Sequence, residues 1–238
     1  VINLVTGSAK RLVLDDNSRI SLSNNDSGGT GGSDSTTGNT LLGWRAGIDI
    51  ASGGLNNTSI GHASGFKLTT GDDNTYLGKY AGLGNLTGSS NTFIGSQSGL
   101  SDNGSSHSDN IGVGASTLYS LTTGVNNVAI GYNSLDAGTD AHDNTAIGFA
   151  SLGSAVSVGY AVAIGNEAMN NGNVTSTADG AVGIGYKALY ALTSGGENVA
   201  LGYLSGSQIT TGDSNVALGH QAMDEITTGD RNIAIGHN

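Results

Sequence analysis

The chain contains no cysteine and no proline, and it has few aromatic or charged residues. The absence of cysteine excludes a disulfide framework and a thiol nucleophile, although a hydrogen-bonded solenoid can be stable outside the cell without disulfides. Aromatic residues make up 5% of the 238 residues and charged residues 11%, whereas glycine contributes 41 residues. So few large side chains leave little apolar area per residue, which argues against a conventional thick core.

Basic residues are also scarce, with 8 Lys and Arg against 19 Asp and Glu, a net charge of -11. Nucleic acids and anionic membranes require clustered basic residues, so neither is an expected partner. No apolar stretch reaches the length of a membrane span, and no signal peptide is visible. Because the chain starts at Val1 and stops within a repeat at Asn238, we expect it to be a segment of a longer protein.

What the sequence does contain is a nine-residue phrase, clearest from Asn127 to Leu135, that returns twelve times. The phrase is numbered from its first residue, so Asn127 is position 1. Its spacing is mostly 17 residues, and aliphatic residues recur at fixed positions, which low-complexity disorder does not maintain. The sequence therefore predicts an all-β parallel solenoid of about twelve 17-residue coils. Position 5 is glycine in every copy: Gly43, Gly61, Gly78, Gly95, Gly114, Gly131, Gly148, Gly165, Gly185, Gly202, Gly219 and Gly236.

Positions 2 and 4 of the phrase share one face of a strand, because side chains alternate along a strand. Position 4 is always aliphatic, as in Ile130, Ile147, Ile164 and Ile184, and we predict that these side chains point into the coil. The small residues at positions 3, 5 and 8 are predicted to form a second face that contacts a neighbouring chain. A second short strand is predicted through positions 8 to 12.

The remaining part of each coil carries turn chemistry, as in Leu-Thr-Thr-Gly at residues 121–124. The asparagine at position 1, present in ten of twelve copies, is predicted to cap this turn and to stack in ladders. Three segments follow from the pattern: a β lead-in at 1–23, a Gly/Ser/Asn-rich linker at 24–38 and the repeats at 39–238.

A coil of two short strands buries few aliphatic side chains, each stabilising by roughly 1.5–3 kcal/mol. Ordering its residues costs on the order of 1 kcal/mol apiece, so a single chain has little margin. We therefore predict a homo-oligomer with cyclic symmetry, preferably a trimer, although the spacing does not fix the number.

The phrase Asn-x-Ala-Ile-Gly-x-x-Ala/Ser, as in residues 127–134, 144–151 and 215–222, resembles the head repeats of trimeric autotransporter adhesins, the YadA-like heads. Similar repeats occur in bacteriophage tail fibres, and residues 11–22 resemble the phage version. The resemblance implies a left-handed parallel β-roll, three chains around one axis and an extracellular fibre on a virion or cell surface. It also implies a spacer or adhesive role. The 17-residue coil is longer than is usual in those heads.

Other motifs are better explained by the repeat. The Gly-x-Gly phrases are not followed by a helix or by Gly-Lys-Ser/Thr, so they do not predict a phosphate loop. His62, His220 and His237 share position 6 and suggest a metal ligand, but the same position holds unrelated residues elsewhere. The acidic turns lack the spacing of calcium rolls. Neither a metal nor a cofactor is predicted, and the scattered Glu residues do not predict an enzyme.

The early coils contain four large aromatic residues: Trp44, Tyr76, Tyr80 and Phe93. A cluster of exposed aromatics would form a contact for a host cell-surface glycan or protein. The alternative is that these side chains fill a wider end of the roll.

The sequence thus predicts a fibre or adhesin segment, a rigid shaft with a host- or surface-binding face. The alternative function is a ligand-binding solenoid such as an ice-binding protein, prompted by the recurring Thr pairs. Thr69 and Thr70 are adjacent in a turn, whereas ice-binding solenoids present Thr at alternate strand positions, which counts against this alternative.

Overall fold

Residues 38–50, 53–101, 104–171 and 173–238 are described by a computed structural model of the chain. They form a parallel β-solenoid of about 11 turns, which confirms the predicted all-β repetitive fold. Its twelve strands form one parallel sheet in sequence order, and a short 3₁₀ helix spans Ser176–Ala178. The strands are β1 Thr40–Leu42, β2 Thr58–Ile60, β3 Thr75–Leu77, β4 Thr92–Ile94, β5 Ile111–Val113, β6 Val128–Ile130, β7 Thr145–Ile147, β8 Val162–Ile164, β9 Val182–Ile184, β10 Val199–Leu201, β11 Val216–Leu218 and β12 Ile233–Ile235.

Equivalent positions of the phrase stack on one another from coil to coil. Ala129 pairs with Ala146 and Ile130 with Ile147, and the other strand pairs keep the same register. The predicted segments at 1–23 and 24–38 lie, except for Gly38, outside the described residues, so that division of the chain stays a prediction.

The two faces of the strands are the reverse of the prediction. The central residue of the strand, at position 3, is buried in β6, β7 and β8, where it is Ala129, Ala146 and Ala163. Positions 2 and 4 face outward, so Ile130 is 38% exposed, and the partly exposed Ile147, Ile164 and Ile184 share that face. The reason is that a three-residue strand bounding a thin coil contributes one side chain to the interior. The rest of the core comes from turn residues.

The size of the turn residue at position 9 is complementary to the size of the strand residue at position 3. In the third and fourth coils Tyr76 and Phe93 fill the interior, and position 9 is glycine. A Cβ on Gly82 would lie 2.6 Å from the Tyr76 ring, so no side chain fits there. In the sixth coil position 3 is Ala129, and Leu135 at position 9 fills the interior instead. Positions 3 and 9 therefore share one volume.

The predicted second strand is wrong, because positions 6 to 10 form turns. Asn133 and Leu135 adopt left-handed backbone angles, with φ of 54° and 50°, which a strand does not contain. Hydrogen bonds between coils continue through this region nevertheless. The Leu135 N–H donates to the Ser151 carbonyl over 3.0 Å, so the backbone stays paired without being extended.

The predicted asparagine ladder is confirmed. The Asn127 side chain donates to the Asn110 Oδ1 over 2.9 Å and to the Ala141 carbonyl over 2.7 Å. Its own Oδ1 accepts from the backbone and side-chain N–H groups of Asn144. The ladder runs through two groups of coils and is interrupted where position 1 is Ala161 and Ala181. Each asparagine thus joins three coils and closes the turn.

Replacing Asn127 by alanine is expected to lower the free energy of unfolding by about 2 kcal/mol, because the buried Ala141 carbonyl and Asn144 N–H lose their partner. Chemical denaturation measures the loss. Thr123→Ala is the control, since the Thr123 hydroxyl makes an exposed bond to Asp140 of the next coil and its backbone is not left-handed. Equal losses for the two variants would contradict a buried ladder.

Candidate functional surfaces

The four aromatic residues predicted as a surface do not form one. Tyr76 and Phe93 are 0% exposed, and their rings stack in the core with centroids 5.6 Å apart. The Tyr76 hydroxyl accepts a 2.9 Å hydrogen bond from the Asn85 amide, which compensates for its burial. For these two residues the core-filling alternative is correct. Trp44 is 62% exposed, and Tyr80 is partly exposed.

Trp44 belongs instead to a cluster of basic and aromatic side chains on the first two coils. Its ring stacks on His62 with centroids 4.8 Å apart. The Arg45 guanidinium lies 4.4 Å from the Phe66 ring centroid, and the Lys67 ammonium lies 5.1 Å from the same centroid. These contacts are cation–π interactions, and the Lys67 ammonium also lies 3.9 Å from Asp49 Oδ2. Trp44 and His62 share position 6, but Arg45, Phe66 and Lys67 occupy three other positions, so the repeat pattern did not indicate the cluster.

The side chains at position 6 stack along the solenoid. In the last coils Tyr186, Tyr203, His220 and His237 follow one another with centroids 5.1, 5.0 and 4.5 Å apart. The His220 and His237 rings are nearly parallel, 5° apart, so their nitrogens do not converge on one point between the rings. In the part of the chain that the structure describes, no group of three or more His, Asp or Glu side chains could hold a metal ion.

Acidic turn residues act as acceptors for the neighbouring coil. Asp72 Oδ1 accepts from the Leu55 N–H, and Asp213 Oδ1 from the Gly196 N–H, each over 2.8 Å. The first threonine of a turn is used similarly, since the Thr69 hydroxyl donates to the Leu86 carbonyl over 2.8 Å. Much of the polar edge of the solenoid is therefore occupied by bonds between coils.

An apolar stripe runs along the outer face of the sheet. It consists of the aliphatic side chains at position 4 of every strand and of position 2, which is Val or Ile in seven strands and Thr in β1 to β4 and in β7. We call this stripe the aliphatic face. Leu77 is 44% exposed and Ile111 is 42% exposed in the middle of the stripe. Successive side chains are about 4.8 Å apart, the spacing of paired strands. A continuous exposed apolar surface of this kind marks an interaction site.

A cleft of about 570 Å³ opens on the turn side of the sixth to eighth coils. Asp136 is half-buried there, and burial raises the pKa of its carboxyl group above the ordinary value. The lining residues are polar amides, one hydroxyl, one carboxylate and small apolar groups: Asn133, Asp136, Ala137, Ala150, Gly153, Ser154, Val156, Asn170, Asn171 and Asn173. None of them belongs to a strand, so the cleft and the aliphatic face are separate surfaces.

No protein-family model matches the chain, and neither a curated protein nor a solved structure shows significant similarity to it. No helix in the described ranges is long and apolar enough to cross a membrane.

Proposed function

We propose that the chain is a shaft segment of a homotrimeric extracellular fibre, in which each copy packs its aliphatic face against the others. The observation that carries the proposal is the continuous exposed aliphatic face along the twelve-stranded sheet. Such a segment is a rigid spacer on a virion or cell surface and presents its turn side to a host glycan or protein.

The geometry of the aliphatic face favours a second copy of the same chain as its partner. Aliphatic side chains, at position 4 of every strand and at position 2 of seven strands, form rows that repeat with the strand spacing of about 4.8 Å along the sheet. A surface with the same spacing can interdigitate with these rows over their whole length, and another copy supplies it. Cyclic symmetry lets every chain bury the face without leaving an open end for further chains.

The proposed contact between chains uses a different face of the strands from the one expected from the sequence. Positions 3 and 8 were expected to meet a neighbouring chain, but Ala129 and Ser134 are buried inside their own coil. The number of chains rests on the resemblance of the Asn-x-Ala-Ile-Gly phrase to trimeric adhesin heads and phage tail fibres.

The ice-binding alternative is less well supported. An ice-binding face presents free, regularly spaced hydroxyl groups. The hydroxyls of Thr69, Thr122, Thr193 and Thr210 instead donate to carbonyls of the next coil. A row of outward threonines, Thr40, Thr58, Thr75 and Thr92, ends after β4 and lies beside the aliphatic residues of position 4. Ice-recrystallisation activity at micromolar protein would favour this alternative over the fibre.

Placing two glutamates on the aliphatic face tests the trimer. In sedimentation equilibrium the native chain is expected at three times its 23.6 kDa mass. The double variant Ile130→Glu/Leu201→Glu is expected to be a folded monomer, because six carboxylates cannot be buried at the axis. The expected result is that the double variant sediments at the mass of one chain.

The matched control is Tyr119→Glu/Tyr160→Glu, which adds the same charge to side chains that are 38% and 62% exposed and lie outside the strands. We expect this variant to remain a trimer. A native chain that sediments as a folded monomer would contradict the proposal, as would an equal response of the two variants.

A further inference from the structure

We propose that the cleft on the sixth to eighth coils binds a neutral saccharide. The inference rests on the surface-contact part of the proposed function and names the ligand class for it. It does not depend on trimerisation, because the cleft shares no residue with the aliphatic face.

The cleft arises where the pairing between two coils opens. The Ala137 N–H donates to the Gly153 carbonyl over 3.1 Å, so the sixth and seventh coils are paired at this position. The equivalent group one coil later, the Ser154 N–H, makes no hydrogen bond to any described residue. The eighth coil is lengthened here, since the step from Gly165 to Gly185 is 20 residues. The added residues leave a gap between the coils.

The polar side chains in the cleft have unused hydrogen-bonding groups. Among the described residues, none accepts a bond from or donates one to the side chains of Asn133, Ser154, Asn170, Asn171 and Asn173. The Asp136 carboxylate accepts from the backbone N–H groups of Asp136 and Ala137 and keeps further acceptor capacity. The asparagines at position 1, by contrast, are engaged in the ladder. Amides and hydroxyls both donate and accept, which matches the dual character of sugar hydroxyls.

Two polar side chains of the cleft come close to each other at Gly153, which lines it. A Cβ added to Gly153 would lie against Asn170 Oδ1 and 3.1 Å from Asp136 Oδ1. A carboxylate and an amide oxygen set around a bare glycine can accept from adjacent hydroxyls of one ring. Ala137, Ala150 and Val156 add apolar surface for the C–H groups of the sugar.

The charge of the cleft selects against other ligand classes. Its lining contains no Lys or Arg, so a phosphate or an acidic sugar would meet Asp136 without a counter-charge. Calcium takes about six to eight oxygen ligands and is usually held by several carboxylates, whereas the lining holds one. The volume of about 570 Å³ lies in the ordinary range for small-ligand sites.

The test uses the full 238-residue chain and a panel of uncharged sugars, namely the methyl glycosides of glucose, galactose, mannose and N-acetylglucosamine with lactose, maltose and diacetylchitobiose. Saturation-transfer NMR and calorimetry measure binding, and at least one sugar is expected to bind with a Kd of about 1 mM or tighter. Asp136→Ala and Asn170→Ala are each expected to weaken it about tenfold or more. Asp140→Ala removes the same charge from a neighbouring exposed residue outside the cleft and is expected to leave the Kd unchanged.

Three outcomes would overturn the inference: no sugar of the panel binds, the cleft variants bind as the native chain does, or calcium alone binds in an Asp136-dependent manner. Circular dichroism of each variant shows that a loss of binding is not a loss of fold. Sedimentation of the same samples separates the two proposals. A trimer that binds no sugar overturns the cleft assignment alone, and a monomer that binds sugar overturns the trimer alone.

Discussion

Replacing Gly148 by alanine is expected to destabilise the solenoid by about 4 kcal/mol or more, because two penalties combine at this position. The backbone of Gly148 has a φ of +137°, which residues with a side chain rarely adopt. The added Cβ would also lie against the carbonyl group of Gly165 in the next coil. The backbone cannot yield without breaking the pairing of two coils. Denaturation followed by circular dichroism measures the loss.

Gly236→Ala separates the two penalties. Gly236 occupies the same position of the phrase with a φ of +143°, and a Cβ there meets nothing within 4 Å. In this chain the substitution therefore introduces the backbone strain alone, at a cost of about 1–3 kcal/mol. If Gly148→Ala were no more costly than Gly236→Ala, close contact between coils would not be the reason for the invariant glycine.

Acidification is expected to weaken the fold through His107. Its side chain is 0% exposed, and it meets the Phe93 ring edge-on with centroids 5.4 Å apart. Neither ring nitrogen has a hydrogen-bond partner among the described residues. Burial lowers the pKa of His107 to about 4 from the ordinary 6.5. The unfolded chain therefore binds a proton more readily than the folded chain. The contribution of neutral His107 to the free energy of unfolding is therefore fully present above pH 6.5. It is lost as the pH falls through 4, and the total loss is about 3 kcal/mol.

His107→Phe is expected to remove this part of the pH dependence, because phenylalanine keeps the ring and loses the titrating group. Urea unfolding at pH 7 and at pH 4.5 gives the change in the free energy of unfolding between the two pH values. Other titrating groups contribute equally to this change in the native chain and in His107→Phe. His62→Phe is the control, since His62 is exposed and a phenylalanine there keeps the stack on Trp44. A native-like pH dependence in His107→Phe would show that His107 does not titrate on unfolding.

The period of the fold was readable from the sequence, but the orientation of its strands was not. Glycine and asparagine recurring every 17 residues predict stacked coils and the ladder of Asn127 and its equivalents. Alternation shows that Val128 and Ile130 share a face, yet it does not say which face is buried. Large aliphatic residues favour the interior in an ordinary sheet. Here the coil is so thin that Ala129 and the turn residue Leu135 fill it.

The candidate sites were less predictable because they depend on departures from the repeat. Tyr76 and Phe93 look like a surface cluster until Gly82 and Gly99 are recognised as the space that their rings occupy. The cleft lies where the Ser154 N–H makes no bond to a described residue of the next coil. The available signals were the longer eighth repeat and its run of asparagines after Met169. Neither signal predicts that the asparagine side chains next to the cleft make no bonds to other described residues.

The uniform register of the sheet has a consequence for the length of the protein. Each coil presents to the next the same glycine carbonyl and the same strand edge, and all but the Ala161 and Ala181 coils also present the same asparagine oxygen. Gain or loss of one 17-residue coil with an alanine at position 3, such as the sixth, therefore keeps these backbone contacts and alters the length by one strand spacing, about 4.8 Å. Gene duplication among such coils can change the reach of the protein in equal steps.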